Sequence, residues 1–277
     1  MRKAIMSIKR AGLVSILALF AAAALYPMLF MILTSFRTSV EYLRNPLGWP
    51  QTFTYFDNIV AMFNNFDVVH LLLNTIGYIA LAATISLSVS IPAAFALAKL
   101  RFPLRFFFLM LMVASMVIPG ITFILPDYLL MTNLGLVDNF WSVVLLWAAT
   151  SLPGSIFLLT TLMRGLPNEI LDATKVDGAN YFHLMTKVVI PISAPGIVTI
   201  TIFNVTGWWN DLLIPLVFLQ TDANKTLTAA IATIAGRYGT DFPLLMSGLL
   251  MASLPPVLIY IFLQSYIRKG MVIGAVK

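Results

Sequence analysis

Six stretches without a charged side chain, at residues 11–36, 71–98, 106–126, 139–163, 188–210 and 242–267, constrain this chain more than any other feature. Each exceeds the ~20 residues that an α-helix needs to cross the hydrocarbon core of a bilayer at ~1.5 Å per residue. Transmembrane strands also satisfy every backbone group in lipid, but they read as roughly ten-residue segments of alternating polarity. Runs such as LLLNTIGYIALAATISLSVSIPAAFALA do not alternate. With 60% apolar residues, 10% charged residues and a mean hydropathy of +0.94, the chain lies well above the roughly 45–50% apolar share of soluble domains. The expected fold is therefore an all-α, polytopic membrane protein of six spans, at about 11–36, 71–98, 106–126, 139–163, 188–218 and 242–267.

Charge placement orients the bundle. If the N-terminus is cytoplasmic, the inner face receives Arg2, Lys3, Lys9, Arg10, Lys99, Arg101, Arg105, Arg164, Lys175, Lys187, Arg268, Lys269 and Lys277, which are 13 of the 17 basic residues. Arg37, Arg44, Lys225 and Arg237 remain outside with most of the acids, the asymmetry typical of inner-membrane proteins. The net charge of +6 thus reports topology and does not point to nucleic acid. The basic, alanine-rich start resembles a secretory signal, but its uncharged run continues to Phe36, too long for a signal core, so we read it as the first span. Both termini are then expected on the cytoplasmic side of the membrane.

Between the spans the chain is punctuated by loops. Residues 37–69 form an outer loop with turn signals (NPLGWP) and interfacial aromatics. Pro92 is expected to kink the second span, Pro119, Gly120 and Pro126 to break the outer end of the third, and Pro153 and Gly154 to interrupt the fourth. No internal repeat or soluble linker divides the sequence, which reads as one transmembrane domain over 1–277.

One segment contradicts the apolar background. EILDATKVDGANYF, residues 169–182, carries Glu169, Asp172, Lys175 and Asp177, which at mid-bilayer would cost roughly 2.5–3.5 kcal/mol each. It must lie outside the hydrocarbon, on the cytoplasmic side by span count. Pro167 suits the first turn of a helix, Glu169 and Asp172 favour the positive end of its dipole, and Gly178 can end it. Asn180 can cap a second helix running to Pro191. Ile170, Ala173 and Val176 form an apolar stripe, which fits either an amphipathic linker on lipid headgroups or a helix docked in a partner's groove.

Glu169-Ile170-Leu171-Asp172-Ala173-Thr174 leading into Asp177-Gly178-Ala179, with the aromatic Phe182, then Lys187, Pro191 and Pro195, resembles the coupling-loop signature of permease subunits of bacterial ATP-binding-cassette importers. Asp172-Ala173-Thr174 stands where that signature usually has Glu-Ala-Ala, and Ile190 where leucine is usual. LYP near the start, NTIGYIALAATISLSVSIPAAFALAKLRFP, PDYLLMTNLGLVDNFWSVVL, GWWNDLLIP and QSYIRKGMVIGAVK resemble the maltose-type carbohydrate permeases, in particular the shorter, MalG-like partner of their pair. The resemblance implies a second, MalF-like permease subunit, two cytoplasmic ATP-binding subunits that hold ATP and Mg, an extracellular solute-binding protein and a carbohydrate solute. It also implies that Glu169, Asp172, Ala173, Thr174, Asp177, Gly178, Ala179 and Phe182 couple to the ATPase, and that loop 221–243, with Lys225, Arg237 and Tyr238, contacts the binding protein.

The chain's own chemistry agrees with a subunit that uses an external motor. It has no G-x-x-x-x-G-K-[ST], so no P-loop to cradle nucleotide phosphates. It has no cysteine, no HExxH and only two histidines, His70 and His183, far apart in sequence. A non-catalytic role without a cofactor of its own is expected. Asn74, Asn204, Trp208, Asn210 and Asp211 are the candidates for a translocation path, since amides, a carboxylate and an aromatic face suit a sugar. The competing reading places Trp208 and Trp209 in an interfacial belt and pairs Asp211 with a neighbour. A secondary transporter or channel working alone is the alternative function, although it would need intramembrane ionisable groups and only Asp211 lies near a span.

Overall fold

The computed structural model describes residues 2–176, 178–238 and 241–275. Helices account for all regular structure among them: α1 (Arg2–Ser35), α2 (Ser39–Arg44), α3 (Asp57–Phe66), α4 (Val68–Lys99), α5 (Arg105–Val117), α6 (Ile124–Asn133), α7 (Phe140–Arg164), α8 (Asn168–Val176), α9 (Tyr181–Leu184), α10 (Ile190–Asn210), α11 (Leu213–Phe218), α12 (Leu227–Tyr238) and α13 (Phe242–Ala275). The described chain forms two compact units, one of residues 1–69 with 231–255 and one of residues 70–230 with 256–277.

In the first unit, residues 12–35 of α1 are long and apolar enough to span a membrane, and Leu13, Leu17, Phe20 and Leu29 stand exposed along it. The loop after α1 is held by Arg37, which is 1% exposed. Its Nη1 donates to Pro46 O at 3.1 Å, its Nη2 to Glu41 O at 2.8 Å and to Asn45 O, and its guanidinium lies over the Tyr42 ring. Asn58 Nδ2 donates back to Ser35 O and Arg37 O at 2.9 and 2.8 Å. A buried guanidinium is tolerated because carbonyls and the Glu41 carboxylate, 3.8 Å from Nε, surround it. In sequence this arginine reads only as an outer-loop charge. In the same unit Gly248 lets α13 approach Met62 and Ile231, where a Cβ would meet side-chain atoms at 3.1–3.3 Å.

The second unit supplies α4, α7 and α10 as long apolar helices. Tyr78, near the start of α4, stacks on Phe140, the first residue of α7, with centroids 5.9 Å apart. Lys99, the last residue of α4, reaches Arg164 O at the end of α7 at 3.4 Å. The two helices therefore run in the same direction and end together, so residues 100–139 must recross the bilayer between them. They do so as a bent pair: α5 runs for 13 residues, about 20 Å, and residues 120–133 then continue at 93° to it. The third span is thus a broken crossing, with the expected break at Pro119 and Gly120, because Pro119 lacks the N–H that would carry α5 onward, and it runs past 126 to Asn133. With it, the described residues offer up to six crossings. Pro92, by contrast, is carried inside an unbroken α4.

The fifth span also departs from its expected limits. It runs as one apolar stretch from Tyr181 to Asn210 and stops at Asp211, whose extended backbone ends α10, and α11 follows as a separate short helix. A single π turn, Met185–Val189, joins α9 to α10, with the Ile190 N–H bonded to Met185 O. This wider turn accommodates Pro191, whose ring would otherwise press on the preceding turn, so the second helix does not end there.

Lipid tails are as apolar as leucine, so close packing between helices, and not apolar transfer alone, holds such a bundle together. The tightest region lies where α4 and α7 end and α10 begins: Ala94, Phe95, Ala98, Leu159, Met163, Leu171, Leu184, Val189 and Ile200 form one buried cluster. Small residues bring the backbones close there. At Gly196 a Cβ would come within 2.5 Å of Leu162 Cδ1, so α10 crosses α7 through a notch.

Candidate functional site

The charged segment folds as its residues dictate. Pro167 precedes α8, Glu169 sits in its first turn, and Gly178 leaves the segment at φ +84°, a left-handed conformation that glycine adopts without penalty. Ala179 N–H bonds to Thr174 O at 3.2 Å and the Thr174 hydroxyl to Ile170 O at 2.8 Å, closing the last turn. Asn180 Oδ1 accepts from His183 N–H at 2.8 Å, the cap expected for the second helix. Asp177 lies outside the described residues.

One face of this element is rooted in the bundle and the other is bare. Leu171, 5% exposed, and Leu184, 2% exposed, are buried in the cluster of α4, α7 and α10. Ile170, Ala173 and Val176 are exposed, Val176 by 87%, together with Tyr181 and Phe182. Glu169 and Asp172 are exposed beside them. A linker lying on lipid headgroups and a helix docked in a partner's groove would both present this stripe, whereas a linker folded back on its own bundle would hide it.

Lys99, which was not singled out from the sequence, braces the root. Its Nζ donates to Leu166 O at 2.6 Å and to Asn168 Oδ1 at 3.0 Å, so the end of α4 clamps the α7–α8 junction. The sequence signal was a lysine closing an apolar helix, a position equally suited to a topology charge. Lys99, Arg101, Arg105, Arg164 and Lys187 all belong to this end of the second unit.

The five path candidates do not share one surface. Asn204 Nδ2 donates to Ser155 Oγ at 2.9 Å and lines a cavity of about 460 Å³ with Ser115, Thr150, Ser151, Phe123 and Phe203. Hydroxyls and aromatic rings are interleaved there. Trp208 is 6% exposed and stacks on Trp147 at 6.2 Å, and Trp147 Nε1 donates to Asp211 Oδ2 at 2.7 Å. Asp211 Oδ1 also accepts from Leu213 N–H at 3.0 Å, capping α11. Trp208 and Trp209 are thus buried in this unit and do not form an exposed interfacial belt, while Asp211 is paired as the competing reading anticipated. Asn210 is exposed and bonded to Thr206 O at 2.8 Å. Asn74 Nδ2 donates to Ala223 O at 2.7 Å, within a separate cluster.

That cluster is centred on Asp138, at the end of the unit opposite Lys99. Gln220 N–H and Thr221 N–H each donate to Asp138 Oδ1 at 2.9 Å, the Thr221 hydroxyl donates to Oδ2, and Asn224 Nδ2 donates to Asp138 O at 2.8 Å. Tyr78 adds a bond to Asn224 O at 3.0 Å and His70 Nε2 one to Ala223 O at 2.9 Å. The hydroxyl and amide of Thr221 hold the Asp138 carboxyl below the usual carboxylate range. Asp138 adopts φ 58°, which aspartate tolerates better than most residues. Lys225, a candidate for binding-protein contact, is 5% exposed, with its Nζ 2.9 Å from Asp222 Oδ1, so it braces the loop from inside. Arg237 and Tyr238 fall in α12, but their side chains lie outside the described residues, and most of loop 221–243 is in fact this helix. The clasp was not legible in sequence, since its members are 82–86 residues apart.

Comparison with known proteins places these features. Residues 86–273 match the family described as binding-protein-dependent transport system inner membrane component. The arabinooligosaccharides transport system permease protein AraQ of Halalkalibacterium halodurans is 32% identical, with 94% of each chain covered. The diacetylchitobiose uptake system permease protein NgcG of Streptomyces coelicolor is 28% identical over 95% of this chain and 87% of its own. Among solved structures, a chain of a bacterial ABC transporter involved in import of the acidic polysaccharide alginate superposes with a TM-score of 0.80, covering 95% of this chain and 96% of that one at 24% identity, a likeness of fold.

Proposed function

The chain belongs to the family of binding-protein-dependent transport system inner membrane components, and from that premise we propose that it is the permease subunit of a carbohydrate importer whose ATPase grips α8. As a non-catalytic translocation subunit of an ABC importer it works with another permease, ATPase subunits and a binding protein, and the stand-alone transporter reading is set aside. The finer assignments are a MalF-like second permease, two ATP-binding subunits that carry ATP and Mg, and no cofactor on this chain. The end bearing Lys99, Arg101, Arg105 and Arg164 faces the cytoplasm, in keeping with the positive-inside asymmetry, and both termini lie on that side.

The observation that carries the reading is the two-faced α8–α9 element. Leu171 and Leu184 anchor it in the bundle core, and Ile170, Ala173, Val176 and Phe182 leave an apolar stripe bare, flanked by Glu169 and Asp172. ATP-driven closure of the motor pushes on this stripe, and the buried root passes the motion to α7 and α10 as rigid bodies. Asp177, Gly178 and Ala179 set the turn that aims it. Coupling is reciprocal in free energy, so solute arrival outside shifts nucleotide binding inside by the same amount. For the path, Asn204 and the hydroxyls around the 460 Å³ cavity suit sugar hydroxyls, and Phe123 and Phe203 suit apolar ring faces. Trp208 and Asp211 hold its outer end in shape, with Asn74 and Asn210 nearer the outer loops. The exposed tip at Thr221, Asp222 and Ala223 leads the segment toward the binding protein, with Lys225 as its internal brace and α12, bearing Arg237 and Tyr238, behind it.

Because the chain has no cysteine, single cysteines at Ile170, Ala173 and Val176 form a clean test. Each should crosslink to an ATPase subunit in the assembled transporter, whereas a cysteine at Leu171 should not. Labelling of Val176→Cys from the cell exterior, or no capture of an ATPase at any of the three positions, sinks the proposal.

A further inference from the structure

The turn between α4 and α5 carries two adjoining hollows that neither the coupling element nor the path uses. One, of about 270 Å³, is apolar, walled by Ala93, Ala96 and Leu97 of α4, Phe108 and Met112 of α5 and Ile156 of α7. The other, of about 460 Å³, is lined by Leu104, Phe106, Arg105 and Arg164. Phe102 stands in the wall of both. Arg105 is fixed at the seam, with its Nε donating to Leu97 O at 2.7 Å and its Nη2 to Ala98 O at 3.2 Å. Those bonds satisfy carbonyls at the C-terminus of α4 and hold the guanidinium in the wall of the second hollow. Leu104 adopts φ 63°, an unfavourable conformation for leucine, and it and Phe106 are 66% and 71% exposed.

An apolar slot opening beside fixed guanidinium groups has the polarity of one kind of molecule. Arg105 and Arg164, which line this mouth, have no carboxylate partner among the described residues, so a negative charge there would meet two uncompensated cations. A free anion would leave the slot empty, and an apolar helix of another subunit would leave the cations unanswered. We propose that this turn is a binding site for one anionic phospholipid, with an acyl chain in the Ala93–Ala96–Met112 slot and the phosphate between Arg105 and Arg164. Arginine suits the phosphate because its planar fork can donate two parallel hydrogen bonds. Ala93 and Ala96 supply the room, since larger side chains would fill the slot. The site in the inner leaflet rests on the orientation proposed above, whereas retention of the lipid does not.

The test uses the assembled transporter in bilayer discs containing phosphatidylglycerol and phosphatidylcholine, followed by detergent exchange and mass spectrometry of the retained lipid. Wild type should keep phosphatidylglycerol after phosphatidylcholine has been stripped. Arg164→Gln, an exposed position outside the packed core, should weaken retention roughly 5-fold, at the free energy expected for one basic residue near an anionic surface. Ala96→Phe should also release the lipid although all the arginines remain. Equal loss of both lipids from wild type, unchanged retention in Arg164→Gln, or anion binding indifferent to Ala96→Phe would each overturn the site, the last by making it one for a free anion. Crosslinking of Met112→Cys to the second permease would overturn it as well. Assembly with the ATPase is scored separately, so failure to assemble counts against the importer reading and not against the lipid.

Discussion

Gly178 and Asp138 carry left-handed conformations that most side chains resist, and each sits where the chain must be aimed. At Gly178, φ +84° turns the chain from α8 into α9 with no neighbour within 4 Å of a would-be Cβ, so the constraint is torsional only. Gly178→Ala should cost about 1–2 kcal/mol of local stability and reduce uptake in part. Gly178→Pro, which demands φ near −65°, should abolish uptake while membrane insertion persists. Normal solute-stimulated ATP hydrolysis in the proline variant would refute the role of the turn. At Asp138 the carboxylate collects three donors from Gln220 and Thr221. Asp138→Ala should hand those exposed donors to water, remove the clasp and open residues 218–224 to external protease. Since its pKa is lowered by folding, the contribution of Asp138 is complete above the ordinary aspartate range and lost as pH falls through the lower folded value. Protease resistance of this loop should therefore be flat from neutral pH down to about pH 4 and fall only below it. An earlier loss, near pH 6, would contradict the assignment.

At the scale of elements, force on α8 reaches the membrane only if the α7–α8–α9–α10 path is stiff. Three features stiffen it: the burial of Leu171 and Leu184, the bonds of Lys99 to Leu166 O and Asn168 Oδ1, and the π turn that carries the helix past Pro191 unbroken. Lys99→Met keeps the apolar stem and removes the charged donors, each bond to a charged group contributing about 1.5–3 kcal/mol. The variant should still crosslink to the ATPase through Val176→Cys, yet move several-fold less solute per ATP hydrolysed. A ratio equal to wild type would show that the clamp plays no part in transmission.

For the molecule as a whole, the parallel course of α4 and α7 requires the bent pair α5–α6 to return across the bilayer, for up to six crossings. Reporter fusions after Arg101 and Gly178 should report the cytoplasm, and fusions after Gly135 and Gln220 the exterior. Identical readings at Arg101 and Gly135 would mean that the pair re-enters without crossing. The exposed apolar length of α1 and the bare stripe on α8 also leave surfaces to be covered by lipid or by other subunits. The chain produced without its partner permease and ATPase should accordingly be degraded faster than in the assembly, as measured by pulse-chase.

The sequence by itself determined the class of fold and kept the charged segment out of the hydrocarbon, because both follow from local quantities. An uncharged run either is or is not long enough for the bilayer, and Glu169 to Asp177 are too polar to lie within it wherever the helices pack. Gly178 and Asn180 were legible for the same reason, since each acts on its own backbone. Tertiary structure alone decided which side chains work together. Arg37, Lys99 and Asp138 read as ordinary loop or end charges until distant carbonyls and amides converged on them. Trp208 and Asp211 looked as open to solute as Asn204 until Trp147 enclosed them. Packing brings together groups that the chain holds tens of residues apart, and no periodicity or composition encodes that distance.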